Sequence, residues 1–354
     1  MTYIKKYLHH LFVDGINGMA LGLFATFIWG NLLQQIGFYT SGSISILIYN
    51  FGKLLCSLTC VGIVIGISHK FQEGLWITIC SAICAMAGGH ALEFLSGSIF
   101  SGNSILLNSP GEPLGAFVAA YVGIEIGHLL ANKTKWDFLI TPILTLCSGV
   151  ATGLLVGPYI SMFSSWFGEL ISWSTQQSPL LMGVLVSVFM GIASTLPIHA
   201  ITIASSLHLS GLAAGAAAIG CCCHMVGFAV ASYPENKLSG LISQSIGSST
   251  LQMANIFRNP LILLPVVLSS AILGPLSTVV FKMSNSYTSA GLGSLGFNCS
   301  ISAWQYMTLN QSTGLVLAKI LLMHFVLPAI FTLFFSNWMR KHKWIKLGDM
   351  KLDF

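Results

Sequence analysis

The sequence predicts an all-α, polytopic integral membrane protein of about ten transmembrane helices, with room for re-entrant hairpins among them. Hydrophobic residues make up 54% of the 354, charged residues only 7%, and mean hydropathy is +0.81. A soluble domain carries roughly 25% charged residues. Apolar stretches close to the ~20 residues that cross hydrocarbon as a helix recur along the whole chain. Residues 1–354 therefore read as one membrane domain rather than the two or three soluble domains that length alone suggests.

In order, the candidate spans are 14–37, 44–68, 75–97, 112–131, 138–158, 179–198, 209–231, 238–256, 260–282 and 314–337. Basic residues gather between them and at the ends: Lys5, Lys6, Lys70, Lys133, Lys135, Arg258, then Arg340, Lys341, Lys343 and Lys346. With Lys5 and Lys6 in the cytoplasm and the spans alternating, every one of these clusters falls inside, as the positive-inside rule asks. Both termini are then cytoplasmic, and 338–354 is a basic cytoplasmic tail. The one exception is Lys237, in an expected external turn over 233–237 with Glu235 as its partner.

Some segments resist this count. Residues 160–176, with Trp166, Glu169 and Trp173 among apolar positions, read as a helix lying in the outer interface. Residues 238–256 hold Ser243, Gln244, Ser245, Gly247, Ser248, Ser249 and Gln252, and fit either a lipid-shielded span or a re-entrant hairpin. Residues 194–211, with Pro197, His199, His208 and Gly211, could also turn back before crossing. The Gly/Ser-rich stretch 284–310 falls outside by parity as an external loop. Thr141-Pro142 through Gly157-Pro158 and Asn259-Pro260 through Gly274-Pro275 echo one another, and duplicated halves are common in transporters.

Several function classes are excluded. A net charge of +5 confined to loops and tails is a topology signal, so no nucleic-acid partner is expected. No glycine-rich phosphate loop supports ATP hydrolysis. There is no arginine-rich voltage-sensor helix and no potassium-filter signature. No cleavable leader is expected at the N-terminus. Cys56, Cys60, Cys80, Cys84 and Cys147 lie in apolar runs, where free cysteine acts as a small hydrophobe. Adjacent Cys221, Cys222 and Cys223 point to different faces of a helix and cannot share one ion, so they read as packing and no metal or other cofactor is expected.

Glu112 is the leading candidate for solute contact. It lies in Ser109-Pro110-Gly111-Glu112-Pro113-Leu114-Gly115, where prolines and glycines deny the backbone a regular helix. Such a break is tolerated at membrane depth only where it is buried in protein or lines a wet cavity, and an ionisable group there is a functional candidate. Glu93 ends the third span at the same outer level. His90 and Glu93, like Glu125 and His128, are spaced to share a helix face, but the two pairs belong to opposite span ends and make no joint centre. His199 follows the Pro197 break, and His224 lies in the span 209–231; each is either an interior hydrogen-bonder or a substrate contact. Asn255 and Asn259 flank Arg258 before Pro260 at the inner face, as a helix start or a docking position.

Read together, Gly111–Phe117, Leu155–Pro158, Ser210–Gly215, Met225–Tyr233 and the Asn259-Pro260 to Gly274-Pro275 segment resemble the bacterial phosphotransferase-system EIIC-like family that includes perfringolysin regulator-type proteins. The resemblance runs from Asp14 to Met283 and more loosely to the C-terminus. His199 and His224 depart from it, standing where other members carry Ser and Gln, and Glu112 stands where Asp is commoner. It implies a sugar permease in the bacterial cytoplasmic membrane, homodimeric, with its substrate site between a transport core and a dimerisation region. It also implies an EIIB protein in trans that phosphorylates the sugar, since the tail after Phe335 is too short for a further domain. The substrate contacts to expect are Glu112, His199, Glu93, His224, Asn255 and Asn259, and no self-contained catalytic site is expected. Two alternatives stand beside this reading: a membrane-embedded sensor that binds without translocating, and an ion-coupled carrier of a small organic anion using Arg258 and Lys282.

Overall fold

The computed structural model describes residue 7 and residues 9–353, apart from 108, 132, 134, 197 and 199. The chain divides into two compact units, Met1–Ser165 and Trp166–Phe354. By length and composition six helices can cross a bilayer, or seven if the bent pair Ser43–Ser57 and Thr59–Phe71 counts as one span. The all-α, polytopic membrane fold expected from the sequence is the fold observed.

In the first unit, α1 (His10–Tyr39) contains two π-helical stretches, and α2 (Ser43–Ser57) meets α3 (Thr59–Phe71) at a 56° bend. Glycines let these helices touch backbone to backbone. A Cβ on Gly22 would lie 2.2 Å from the Gly62 carbonyl oxygen, and one on Gly66 would lie 2.1 Å from that of Gly18. Close approach of small residues supplies packing where lipid removes the hydrophobic driving force. Next come α4 (Leu75–Gly89), the short α5 (Ala91–Leu95), a two-stranded ribbon of β1 (Phe100–Ser101) and β2 (Ser104–Ile105), and α6 (Pro113–Leu130). The expected span 75–97 is thus broken at His90, between α4 and α5.

A single helix of 39 residues, α7 (Asp137–Thr175), replaces the expected span 138–158 and interfacial helix 160–176. Pro142 and Pro158 lie inside it. Each proline removes one backbone donor but leaves the neighbouring turns able to continue. At 1.5 Å per residue the helix is about 58 Å long, roughly twice the hydrocarbon thickness. Residues to Ser165 belong to the first unit and those from Trp166 to the second.

The second unit holds α8 (Pro179–Thr195), α9 (Ala200–Ser206), α10 (Gly211–Ala231), the kinked α11 (Tyr233–Ile242), α12 (Met253–Arg258), α13 (Pro260–Val280), α14 (Asn298–Met307) and α15 (Thr313–Lys341). Contacts fix their directions. Ser187 abuts Gly220, the Cys221 thiol reaches the Met190 carbonyl and Thr195 meets His224, so α8 and α10 run parallel. Ser187 Oγ donates to the Ser270 carbonyl and Thr278 Oγ1 to that of Pro179, so α13 is antiparallel to α8. Two parallel neighbours joined by residues 196–210 require the chain to turn back. Ile198, Ala200, Ile203, Ala204 and Leu209 make that return buried against Met182, Val186, Met190 and Ala214.

The segment 238–256 also turns back, and here the structure corrects the expected topology. Arg340 Nη2 donates to Glu235 Oε1 at 2.8 Å, and Asn236 Nδ2 to the Met350 carbonyl at 2.8 Å. Gln252 Nε2 reaches that same carbonyl and Asn255 Nδ2 that of Lys351. Residues 235, 252 and 255 therefore lie at one end of the unit, beside the basic tail. The turn over 233–237 and the tail share a side instead of facing opposite ones, and Glu235 takes Arg340 rather than Lys237 as its ionic partner. The polar middle of the hairpin is buried, with Gln244 bridging Ser232 and Gln252. Hydroxyls and amides there satisfy one another because an irregular backbone in hydrocarbon must be satisfied internally.

The stretch 284–310, expected as an external loop, packs into the protein. Asn285, Ala290, Ser294 and Cys299 are fully buried, and Asn285 pairs with Gly211 across an isolated bridge.

Candidate functional site

The Pro-Gly break that singled out Glu112 joins the ends of two helices in the first unit. A Cβ on Gly88 or on Gly115 would stand 2.4 Å from the other's carbonyl oxygen, so α4 and α6 meet at bare backbone. The Glu112 amide donates to the Gly89 carbonyl at 2.7 Å, satisfying one orphaned acceptor at the end of α4. Glu112 is the N-cap of α6, with Pro113 in the first turn where a missing N–H costs nothing. Gly111 has φ +78°, and a side chain there would also strike Cys60 Sγ at 2.7 Å and His90 Nε2 at 2.9 Å.

Polar groups converge on this break. Ser164 of α7 donates to Glu112 Oε1 at 3.1 Å. His90 is buried, its Nδ1 pairing with Glu93 Oε2, while Ser109 Oγ donates to Glu93 Oε1 at 3.3 Å. Among the described residues, His90 Nε2 has no hydrogen-bond partner. Glu93 and Glu112 thus flank one irregular segment with acceptor capacity to spare, since an ionised carboxylate offers about four lone-pair sites. Carboxylate oxygens beside a buried imidazole suit a ligand that presents several hydroxyls. Ser109 and Ser164 carried no signal in the sequence, where lone hydroxyls are too numerous to single out.

His224 belongs to a different cluster, in the second unit. Its Nδ1 lies 2.7 Å from Thr195 Oγ1, which is 3.0 Å from Ser249 Oγ at the hairpin tip. The ring is fully buried against Gly191, and its Nε2 has no partner among the described residues. His199 lies outside the described residues.

Asn255 and Asn259 have other occupants. Asn255 Nδ2 donates to Gln252 Oε1 and to the Lys351 carbonyl, both at 2.8 Å. Asn259 Nδ2 donates to Asp349 Oδ2 at 2.8 Å, while its Oδ1 accepts from the Leu261 amide. These side chains hold the chain's own C-terminal residues. Of the six expected contacts, the structure brings Glu93 and Glu112 together, places His224 with Thr195 and Ser249, and commits the two asparagines to the tail.

The remaining acidic pair also finds local partners. His128 Nδ1 lies 2.9 Å from Glu73 Oε1, and His10 Nε2 lies 3.6 Å from Glu125 Oε1.

Residues 13–352 match the family model described as phosphotransferase system, EIIC. No curated protein matches the chain. A match over nearly the whole length makes the chain a member of the phosphotransferase-system EIIC family, a membrane permease component.

Proposed function

We propose that this EIIC permease carries a sugar, and that Glu112 with Glu93 forms part of the surface that recognises it. The observation that carries this reading is the partly buried Glu112 carboxylate at a helix break, with Ser164 as its one hydrogen-bonding side-chain partner among the described residues. A carboxylate can accept from two neighbouring sugar hydroxyls at once, and charge-assisted bonds of this kind are about twice as strong as neutral ones. Ser109 and Ser164 each hold one oxygen of Glu93 and Glu112 respectively, and the other oxygen of Glu112 is left for a ligand. Phosphorylation falls to a separate EIIB protein at the cytoplasmic face, and a homodimer is the assembly that family membership suggests.

If residues 179–210 and 238–256 are hairpins, the other expected spans make eight crossings with both termini on one side. The 233–237 turn then joins the cytoplasmic face, so Lys237 obeys the positive-inside rule that it seemed to break. Contacts of that turn with Arg340 and Met350 support this count.

The test is flux. Purified protein in liposomes should pass one member of a panel of labelled sugars down its gradient, without a proton gradient, and Glu112→Gln should abolish that flux while leaving insertion intact. Proton-driven accumulation of an organic acid would replace the sugar reading with an ion-coupled carrier. Saturable binding without flux would replace it with a sensor.

A further inference from the structure

Three side chains far apart in sequence converge inside the second unit: Cys222 on α10, Cys299 on α14 and His324 on α15. Their sequence separations are 77 and 25 residues, so no spacing motif announces them. Cys222 and Cys299 are fully buried and His324 is 1% exposed. The two sulfurs are 3.4 Å apart, and Cys299 Sγ is 3.6 Å from His324 Nδ1. All three candidate donor atoms lie within 4.8 Å of one another.

These distances match a coordination triangle. With zinc–sulfur and zinc–nitrogen bonds of about 2.3 and 2.05 Å at tetrahedral angles, sulfurs sit about 3.8 Å apart and sulfur and nitrogen about 3.6 Å apart. Opening the observed pair of sulfurs by a few tenths of an ångström, with Cys222 and His324 drawn in from a separation of at most 4.8 Å, gives that geometry. Both cysteines are free thiols, with sulfurs too far apart for a covalent bond of about 2.05 Å. Ser300 Oγ lies 2.9 Å from the same His324 Nδ1 and gives up that bond when an ion binds, while Asn285 Nδ2 donates to the Cys299 carbonyl at 3.0 Å and fixes the backbone that carries one ligand.

We propose that Cys222, Cys299 and His324 bind a divalent, thiophilic ion of the zinc class, which clamps α14 onto α10. Charge selects the valence. Two thiolates and a neutral imidazole around a divalent ion sum to zero, whereas a monovalent ion leaves a net negative charge in a medium where isolated charge is costly. Loading breaks two S–H bonds, forms two metal–sulfur bonds and releases two protons per ion, with no change of oxidation state. All three ligands belong to the second unit, and the proposal does not rest on the sugar reading.

Metal content tests the proposal without any transported substrate. Protein purified in detergent, stripped with EDTA and offered zinc should retain about one ion per chain and unfold at higher temperature than the stripped form. Cobalt substituted for zinc should show thiolate-to-metal charge-transfer absorption, a direct signature of sulfur ligands. Cys222→Ser and Cys299→Ser should each lose that absorption, and His324→Gln should weaken ion retention at least tenfold. Absence of the absorption in the wild-type protein overturns the proposal, even if every variant fails to fold. Equal ion content in wild type and Cys299→Ser overturns it too, by placing the ion elsewhere. So does recovery of Cys222 and Cys299 as a disulfide from protein purified without reductant.

Discussion

The two polar regions nominated by the sequence, one of carboxylates and an imidazole and the other of amides, end in opposite conditions. At the Ser109–Glu112 break, Glu112 and Glu93 keep spare acceptor capacity and His90 Nε2 has no partner among the described residues. At the α11–α12 hairpin, Asn236, Gln244, Gln252, Asn255 and Asn259 are joined to one another and to residues 344–352. Saturation by the chain's own backbone marks a structural anchor, whereas unspent hydrogen-bonding capacity marks a place for something else. Buried polar groups are normally paired, so the exceptions carry the information.

The largest effect on stability should come from the hairpin side. The Glu235 side chain is 3% exposed; its Oε1 accepts from Arg340 Nη2 at 2.8 Å, and its Oε2 has no hydrogen-bond partner among the described residues. Arg340→Ala leaves that carboxylate buried without its cation, a loss that costs about 3–5 kcal/mol. Thermal unfolding in detergent should record it as a large drop in Tm. Glu112→Gln should leave Tm nearly unchanged, because the amide oxygen still accepts from Ser164, while it removes flux. If Glu112→Gln unfolded the protein as Arg340→Ala does, the distinction between open site and anchor would fail.

A smaller effect isolates the tail. Asn259→Ala removes the bonds to Asp349 and the Trp344 carbonyl together with the cap on the Leu261 amide. Losing a cap costs about 1 kcal/mol, and a hydrogen bond adds about as much again. Trypsin should then cut faster after Lys343, Lys346 and Lys351, with sugar flux retained. Loss of flux at an unchanged cleavage rate would return Asn259 to the solute site.

The same contrast explains what the sequence made legible. Membrane class, helical fold and most helix positions followed from apolar runs, because lipid exposure imposes a length and a composition. Glu112 and Glu93 stood out as candidates because carboxylates are rare in such a chain and one of them sat between prolines. Asn255 and Asn259 were visible as polar residues but not as tail anchors, since their partners lie about a hundred residues downstream. The hairpins stood in the sequence only as alternatives to full spans for the same reason: the contact of Glu235 with Arg340, 105 residues away, shows that the 233–237 turn and the tail share an end. Cys222, Cys299 and His324 form a constellation made wholly by tertiary structure, and a one-dimensional spacing rule has nothing to detect there.

The smallest effect concerns Glu73, in the turn between α3 and α4, which belongs to neither region and calibrates both. Its side chain is 7% exposed, against 67% for its partner His128. Burial raises the Glu73 pKa above the usual carboxylate value, and the charge and hydrogen bond of His128 only partly offset this. A carboxyl whose folded pKa is raised binds its proton more tightly folded than unfolded. Its contribution to stability is therefore full below the ordinary carboxylate range near 4.3 and is lost as pH rises through the folded value. Glu73→Gln removes that loss, so at neutral pH the variant should match or slightly exceed the wild type in Tm. Because a partly exposed pair is worth less than about 1 kcal/mol, the gain should be small, and it should vanish as the pH is lowered through the carboxylate range. A variant clearly less stable than wild type at neutral pH would show that the His128 pair outweighs burial, and that even a half-satisfied carboxylate in this protein is an anchor.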